Sequence, residues 1–272
     1  MTDTVVLSDL KTKHRAMWAS GDYPAVAAEV VHDLGDDLVD ACAVHPGQRV
    51  LDVAAGTGNA AIAAAARGAD VVATDLTPEL LDAGRRVAAE RDVDLVWQQA
   101  DAEELPFADA SFDVVLSTIG VMFAPHHQEA ADELVRVTRP GGTIGLASWT
   151  PGGFIGQMFA TMKPFAPAPP PGAQPPPLWG DETHVRSLLG DRVTDVRAEL
   201  RTLPVTLFAD GEAFRAYFAS RYGPTIAVRR SLEGDPDRLA ELDAALRDLG
   251  DRSLDADGAM RWEYLLLVAT RI

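Results

Sequence analysis

The stretch Arg49-Val50-Leu51-Asp52-Val53-Ala54-Ala55-Gly56-Thr57-Gly58-Asn59-Ala60-Ala61 decides how the rest of the chain is read. A short apolar run ends in two glycines one residue apart, and an Ala-rich segment continues to Arg67. That order predicts a strand, a tight turn and a helix. Glycine at 56 and 58 lets the backbone turn sharply and leaves no Cβ between it and a bound ligand.

The same unit recurs on the C-terminal side. Asp70-Val71-Val72-Ala73-Thr74-Asp75 reads as a second strand, and Thr77-Pro78-Glu79 opens a helix, with Thr77 able to cap it and Pro78 at its first position. Further strands are predicted at Leu95-Val96-Trp97, Phe112-Asp113-Val114-Val115-Leu116-Ser117 and Thr143-Ile144-Gly145-Leu146-Ala147, with a helix from about residue 126 to 137 between the last two. Five strands alternating with helices imply right-handed crossovers and a parallel sheet. Such sheets bind ligands at the carboxyl ends of their strands, beside the point where strand order reverses. Three consecutive tips carry acids here: Asp52 within the first strand, Asp75 ending the second, and Asp101, followed by Ala102 and Glu103, just past the third.

Two cofactors fit that arrangement. Gly56-Thr57-Gly58-Asn59-Ala60-Ala61 has the form of a dinucleotide fingerprint, and Asp75 stands at a suitable distance to hold a ribose diol. Asp52 opposes a dinucleotide, because a carboxylate beside the loop would face a pyrophosphate, whereas S-adenosylmethionine presents an ammonium and a sulfonium. A further acid at Asp101 suits an adenine amino group, which needs an acceptor.

On these residues the chain resembles the class I S-adenosylmethionine-dependent methyltransferases. Val50 to Gly58 looks like their first motif, Asp75-Leu76 like the ribose-binding acid and its neighbour, and Asp101-Ala102-Glu103-Glu104-Leu105-Pro106-Phe107 like the third-strand motif of the ubiquinone/menaquinone-methyltransferase-like branch. Phe112-Asp113-Val114-Val115 and Arg139-Pro140-Gly141-Gly142 complete the order over about residues 48–150. The resemblance implies a Rossmann-like, doubly wound, mostly parallel seven-stranded sheet whose last strand is antiparallel. It also implies S-adenosylmethionine as cofactor, held by Asp52, Ala54, Gly56, Thr57, Gly58, Asp75, Leu76, Asp101, Ala102, Glu103 and Ser117. Ala54 departs from the pattern, since many relatives have the first glycine of the loop there; its methyl narrows the approach to the methionine moiety.

The flanks are expected to build on one domain spanning 1–272: N-terminal helices over 1–45, with a polar break at Ser20-Gly21-Asp22, the cofactor-binding core over 48–150, a Pro-rich loop over 164–177 and a helical cap insertion over 211–257. With 41 acidic against 24 basic residues the formal charge is -17, so phosphate backbones and anionic membranes are repelled and nucleic acid is excluded as a partner. One cysteine, Cys42, permits no intrachain disulfide, and no run is long and apolar enough to span a bilayer. A cytoplasmic monomer or homodimer acting on a small-molecule acceptor is the resulting expectation.

Methyl transfer is an in-line displacement that chiefly requires alignment. If a base assists, His126 is the candidate, placed just after the fourth strand tip, although it and His127 also suit the start of a surface helix. Phe123, Trp149, Arg221 and Tyr222 are candidates to line an aromatic or polyketide-like acceptor's site. No cluster suggests a catalytic metal. The competing readings are an NAD(P)-dependent oxidoreductase and a methyltransferase-like protein that keeps the cofactor without turnover.

Overall fold

The computed structural model describes residues 8–272; the first seven residues of the expected N-terminal cover lie outside it. Three short helices come first, α1 (Asp9–Trp18), α2 (Tyr23–Glu29) and α3 (Asp33–Ala41). Ser8 and Asp22 cap α1 and α2 by accepting from the Lys11 and Ala25 amides. The break between those helices falls at Ser20-Gly21-Asp22, and Gly21 is required there because a Cβ would collide with the Arg221 carbonyl.

The chain then alternates: β1 (Arg49–Val53), α4 (Asn59–Ala66), β2 (Asp70–Asp75), α5 (Pro78–Glu90), β3 (Val96–Gln99), β4 (Phe112–Thr118), α6 (His127–Val137) and β5 (Thr138–Trp149). After it come α7 (Phe154–Met162), α8 (Glu182–Leu189), β6 (Val193–Val205), α9 (Gly211–Arg221), α10 (Gly223–Ser231), α11 (Pro236–Ser253) and β7 (Met260–Arg271). The sheet order is β3-β2-β1-β4-β5-β7-β6. Strands β1 to β5 pair in parallel, and β7 runs antiparallel between β5 and β6. This is the Rossmann-like methyltransferase sheet that the motifs implied.

The chain leaves β1 toward β2 and β3, then returns to place β4 on β1's other side, so the reversal lies between β1 and β4. Helix α4 packs tightly because it is mostly alanine, and Gly35 of α3 lets the two backbones meet where a Cβ would strike Asn59. Leu34 and Leu38 of α3 are fully buried, while Cys42 lies against Gly145 of β5; burial lifts its thiol to about 12, as suits a small core residue.

Residues 164–177 contain no regular helix or strand beyond short turns at Lys163–Phe165 and Pro176–Gly180, and the Gln174 amide ties the segment to the Pro125 carbonyl at 2.9 Å. Between β6 and β7, α11 directs Leu242, Leu246 and Leu249 inward at helical spacing, all without exposure. Trp262 of β7 stacks on Phe154 of α7 with centroids 5.1 Å apart. No helix among the described residues is long and apolar enough to cross a membrane.

At the reversal, Gly120 follows β4 so closely under the β1 turn that a Cβ would collide with the Ala54 carbonyl. Gly120→Ala is therefore expected to destabilise the protein by about 1–3 kcal/mol, the usual scale for overpacking. Urea unfolding measures this, and an unchanged midpoint would show that the two turns separate freely.

Candidate active site

The turn after β1 is left-handed at three positions: Ala54 (φ +53°), Gly56 (+57°) and Gly58 (+80°). For alanine that conformation costs about 1–2 kcal/mol, so the turn must be held from outside. Asp75, at the tip of β2, holds it. One carboxylate oxygen accepts from the Gly56 amide at 2.8 Å and the other from the Thr77 amide at 2.8 Å, tying the β1 turn to the start of α5. Burial pushes the Asp75 carboxyl up, and these amide bonds oppose the rise.

Asp52 is buried beneath the same turn. One oxygen accepts from the Ala61 amide at 2.9 Å, near the N-terminus of α4, while Oδ1 has no partner among the described residues. Burial lifts its carboxyl to about 7 against that bond, with Asp75 adding to the rise. Thr57, Asn59 and Asp52 line a small recess that shares Tyr23, Ala55, Thr118 and Ile119 with a larger cleft.

That cleft lies over the strand tips. Ala54, Gly56, Asp75, Leu76, Asp101 and Ala102 line it, together with Thr118, Gly120 and Phe123. The Thr118 hydroxyl is buried beside it without a partner among the described residues. These unsatisfied acceptors and the bare Gly56 backbone fit a polar ligand with donors, as an adenosine carrying an ammonium tail has. The roof comes from the N-terminal helices: Lys11, His14 and Trp18 of α1 and Tyr23 of α2. Nothing in their spacing had marked them as site residues, because they sit far upstream of the first motif, in a segment without a pattern of its own.

Lys11 is the most constrained of the four. Its Nζ lies 2.7 Å from Asp101 Oδ1 and 2.6 Å from Glu103, and the residue is only 7% exposed. Burial alone would raise the Glu103 carboxyl, but bonds from Lys11 and from the His126 amide and ring hold it below its ordinary range. Burial and Lys11 together lower His14.

Several candidates take other positions. Glu103 is not on the cleft wall; it fastens α1 to the start of α6. His126 turns its Nδ1 to Glu103 at 3.1 Å rather than into the cleft, so it is not placed to serve as a base there. Glu103, His126 and Glu129 have the spacing of metal ligands, and the Lys11 ammonium already stands against Glu103 as the local cation. Ser117 is consumed internally, its hydroxyl donating to Val53 O at 2.7 Å and accepting from the Val121 amide at 2.8 Å. Gly58 faces Trp97, which a Cβ would overlap, so its bareness serves packing. Arg221 lies over the Tyr217 ring, 4.4 Å from its centroid, and lines neither the cleft nor the small recess.

Trp149 and Tyr222 line a second, smaller cavity, with Tyr23, Ile119, Phe123 and Trp262 among its walls. Tyr23, Ile119 and Phe123 also belong to the cleft, so the two spaces adjoin. No charged side chain lines the second cavity among the described residues, and the buried Trp262 Nε1 has no partner there.

Residues 51–146 match the methyltransferase domain family. The chain belongs to the class I S-adenosylmethionine-dependent methyltransferases, and S-adenosylmethionine is its cofactor. Within that class it is similar to an uncharacterized protein of Mycobacterium tuberculosis, 51% identical over 262 residues, which are 96% of this chain and 95% of that protein. A demethylmenaquinone methyltransferase of Renibacterium salmoninarum is 43% identical over 113 residues, 42% of this chain and 46% of its own length. Among solved structures, a putative methyltransferase from Bacillus halodurans shares the fold with a TM-score of 0.58 at 21% identity, covering 88% of this chain and 98% of that one.

Asp75→Ala is expected to weaken binding of S-adenosylhomocysteine by about 1.5–3 kcal/mol, the scale for bonds to a charged acceptor, and to lower the melting temperature because two amides lose their anchor. Calorimetry on the folded variant tests the first effect; an unchanged affinity would leave Asp75 a purely structural role.

Asp52 gives a pH signature. Its folded value, about 7, exceeds the ordinary 3.8, so the native state binds the extra proton between them. Its contribution to stability is fully present below the lower value and is lost as pH rises through the upper one. The stability of the wild type relative to Asp52→Asn should therefore increase as pH falls from about 7.5 to 4.5. Urea titrations at both pH values check this, and a constant difference would contradict it.

Proposed function

We propose that this methyltransferase acts on a small, uncharged, ring-bearing acceptor, aromatic or polyketide-like, bound in the second cavity. The observation that carries the reading is the cavity itself: six aromatic residues beside Val26, Val31, Ile119 and Ile155, with Tyr222 among them and no charge, adjoining the cofactor cleft. The space is narrow as it stands, so a ring-bearing acceptor enters it only as the surrounding side chains give way. A macromolecular acceptor does not fit a space enclosed by these side chains.

When bound, S-adenosylmethionine supplies a methyl carbon made electrophilic by its sulfonium. In the proposed arrangement Asp75 accepts from the ribose hydroxyls, and Asp101 accepts from the adenine amino group through the oxygen that Lys11 leaves free. The unpartnered Asp52 oxygen and Thr118 hydroxyl face the amino-acid end through the small recess. Tyr23, Ile119 and Phe123 form the junction where acceptor and methyl group meet.

No carboxylate or imidazole lines the second cavity among the described residues. Burial pushes the Tyr23 and Tyr222 phenols well above their ordinary value, so they stay protonated at neutral pH. Catalysis in this reading rests on alignment and exclusion of water, with a nucleophile that the acceptor itself supplies.

A cavity-filling substitution tests the assignment. Ile155→Phe should lower turnover of a screened aromatic acceptor by at least about tenfold, the scale for a one- or two-carbon misfit, and leave the affinity for S-adenosylhomocysteine within about threefold. Equal turnover in the two proteins would place the acceptor elsewhere.

A further inference from the structure

The second cavity is walled mainly by core side chains. Of its ten lining residues eight are buried, Trp149, Ile155, Phe218 and Trp262 at 3% exposure or less. The two with partial exposure, Tyr23 and Phe123, are also walls of the cofactor cleft. Trp18 of α1 stands over that junction, edge-on to Phe123 at 4.7 Å, to Tyr23 at 5.3 Å and to Tyr222 at 5.7 Å between centroids. Helix α1 is fastened along its length, by Lys11 to Asp101 and Glu103 and by Arg15 to Glu79 at 3.1 Å.

We infer that the second cavity has a single mouth, which opens between Tyr23 and Phe123 into the cofactor cleft beneath Trp18. The acceptor must then enter before the cofactor, and the methylated product must leave after the demethylated cofactor. This rests on the reading of the cavity as the acceptor site. A route through the opposite wall separates Trp149 from Trp262 and Tyr264, which pack edge-on at 5.7 and 6.3 Å in the main core, and such an opening approaches global unfolding in cost; the small recess, which meets the second cavity at Tyr23, Val31 and Ile119, leads only back to the cleft. The route past Trp18 requires that α1 lift, which breaks its ion pairs, three aromatic edges and the packing of Met17 against Gly223 at the start of α10. Trp18 is thus a gate residue for both ligands, and α1 seals the two spaces in one movement.

The test uses the full chain with 1-naphthol, an uncharged fluorescent probe, in stopped-flow mixing. Naphthol should bind the cofactor-free protein, and saturation with S-adenosylhomocysteine should slow its association and dissociation by at least about tenfold, as expected when entry awaits a conformational opening. In Trp18→Ala, checked for folding by its melting transition, naphthol exchange in the S-adenosylhomocysteine complex should return to within about threefold of the cofactor-free rate. Equal rates in the wild type with and without S-adenosylhomocysteine would overturn the single mouth, whatever the variant does. Failure of naphthol to bind the cofactor-free protein, or binding that Ile155→Phe leaves unchanged, would instead overturn the cavity as acceptor site.

Discussion

Two carboxylates buried at the reversal of strand order set the terms for the rest of the site. Asp52 and Asp75 are 1% and 8% exposed, and each is desolvated enough for burial to raise its carboxyl. Burying such groups is costly unless donors meet them. Here the donors are backbone amides: Ala61 for Asp52, Gly56 and Thr77 for Asp75. The polypeptide is therefore obliged to bring the β1 turn, the start of α4 and the start of α5 to one point. The acceptor capacity left over, notably the second oxygen of Asp52, faces recesses that a cationic, hydroxyl-bearing cofactor would fill.

That convergence explains the local backbone. Three left-handed residues within five positions turn the chain steeply enough to present the Gly56 amide to Asp75. Ala54 accepts the conformation without glycine's freedom, and the neighbouring strand compensates by having Gly120 where any side chain would strike Ala54. On the other side, Gly58 and Gly84 make room for the Trp97 ring, which wedges between the turn and α5. Two glycines of one motif therefore serve different ends: Gly56 presents bare backbone to the cleft and Gly58 admits a tryptophan.

The sheet, its reversal and the acids on its tips were legible because each depends on local pattern: alternation of strand and helix, glycines after an apolar run, acids at fixed offsets. Residues whose role depends on where distant elements land were not. Ser117 looked like a tip residue, yet its hydroxyl is spent joining β1 to the turn after β4, a choice made by the register of two strands. Arg221 was a candidate to line the acceptor's site, but it lies on Tyr217 while its carbonyl receives the Asp22 amide. Lys11, Trp18 and Tyr23 went unmarked for the converse reason. A lysine and two aromatics in an amphipathic helical segment have no distinctive spacing, and only the docking of α1 and α2 over the tips gives them a ligand to meet.

The division of labour follows from that docking. The cleft draws its floor from the turn after β1, the tip of β2 and the loops after β3 and β4, where the sheet dictates geometry, whereas the second cavity draws its walls from α2, α7, α9, the start of α10 and the ends of β5 and β7. Only Tyr23, Ile119 and Phe123 belong to both spaces. A change in α7 or α9 can therefore reshape the second cavity without moving an acid at the strand tips. A change at Ile119 cannot, because its amide donates to Ala147 of β5 at 2.8 Å while its backbone is held at φ +54°. Variation in what the cavity accepts should then concentrate in the helices around it, and the three shared side chains should stay tied to the chemistry of transfer.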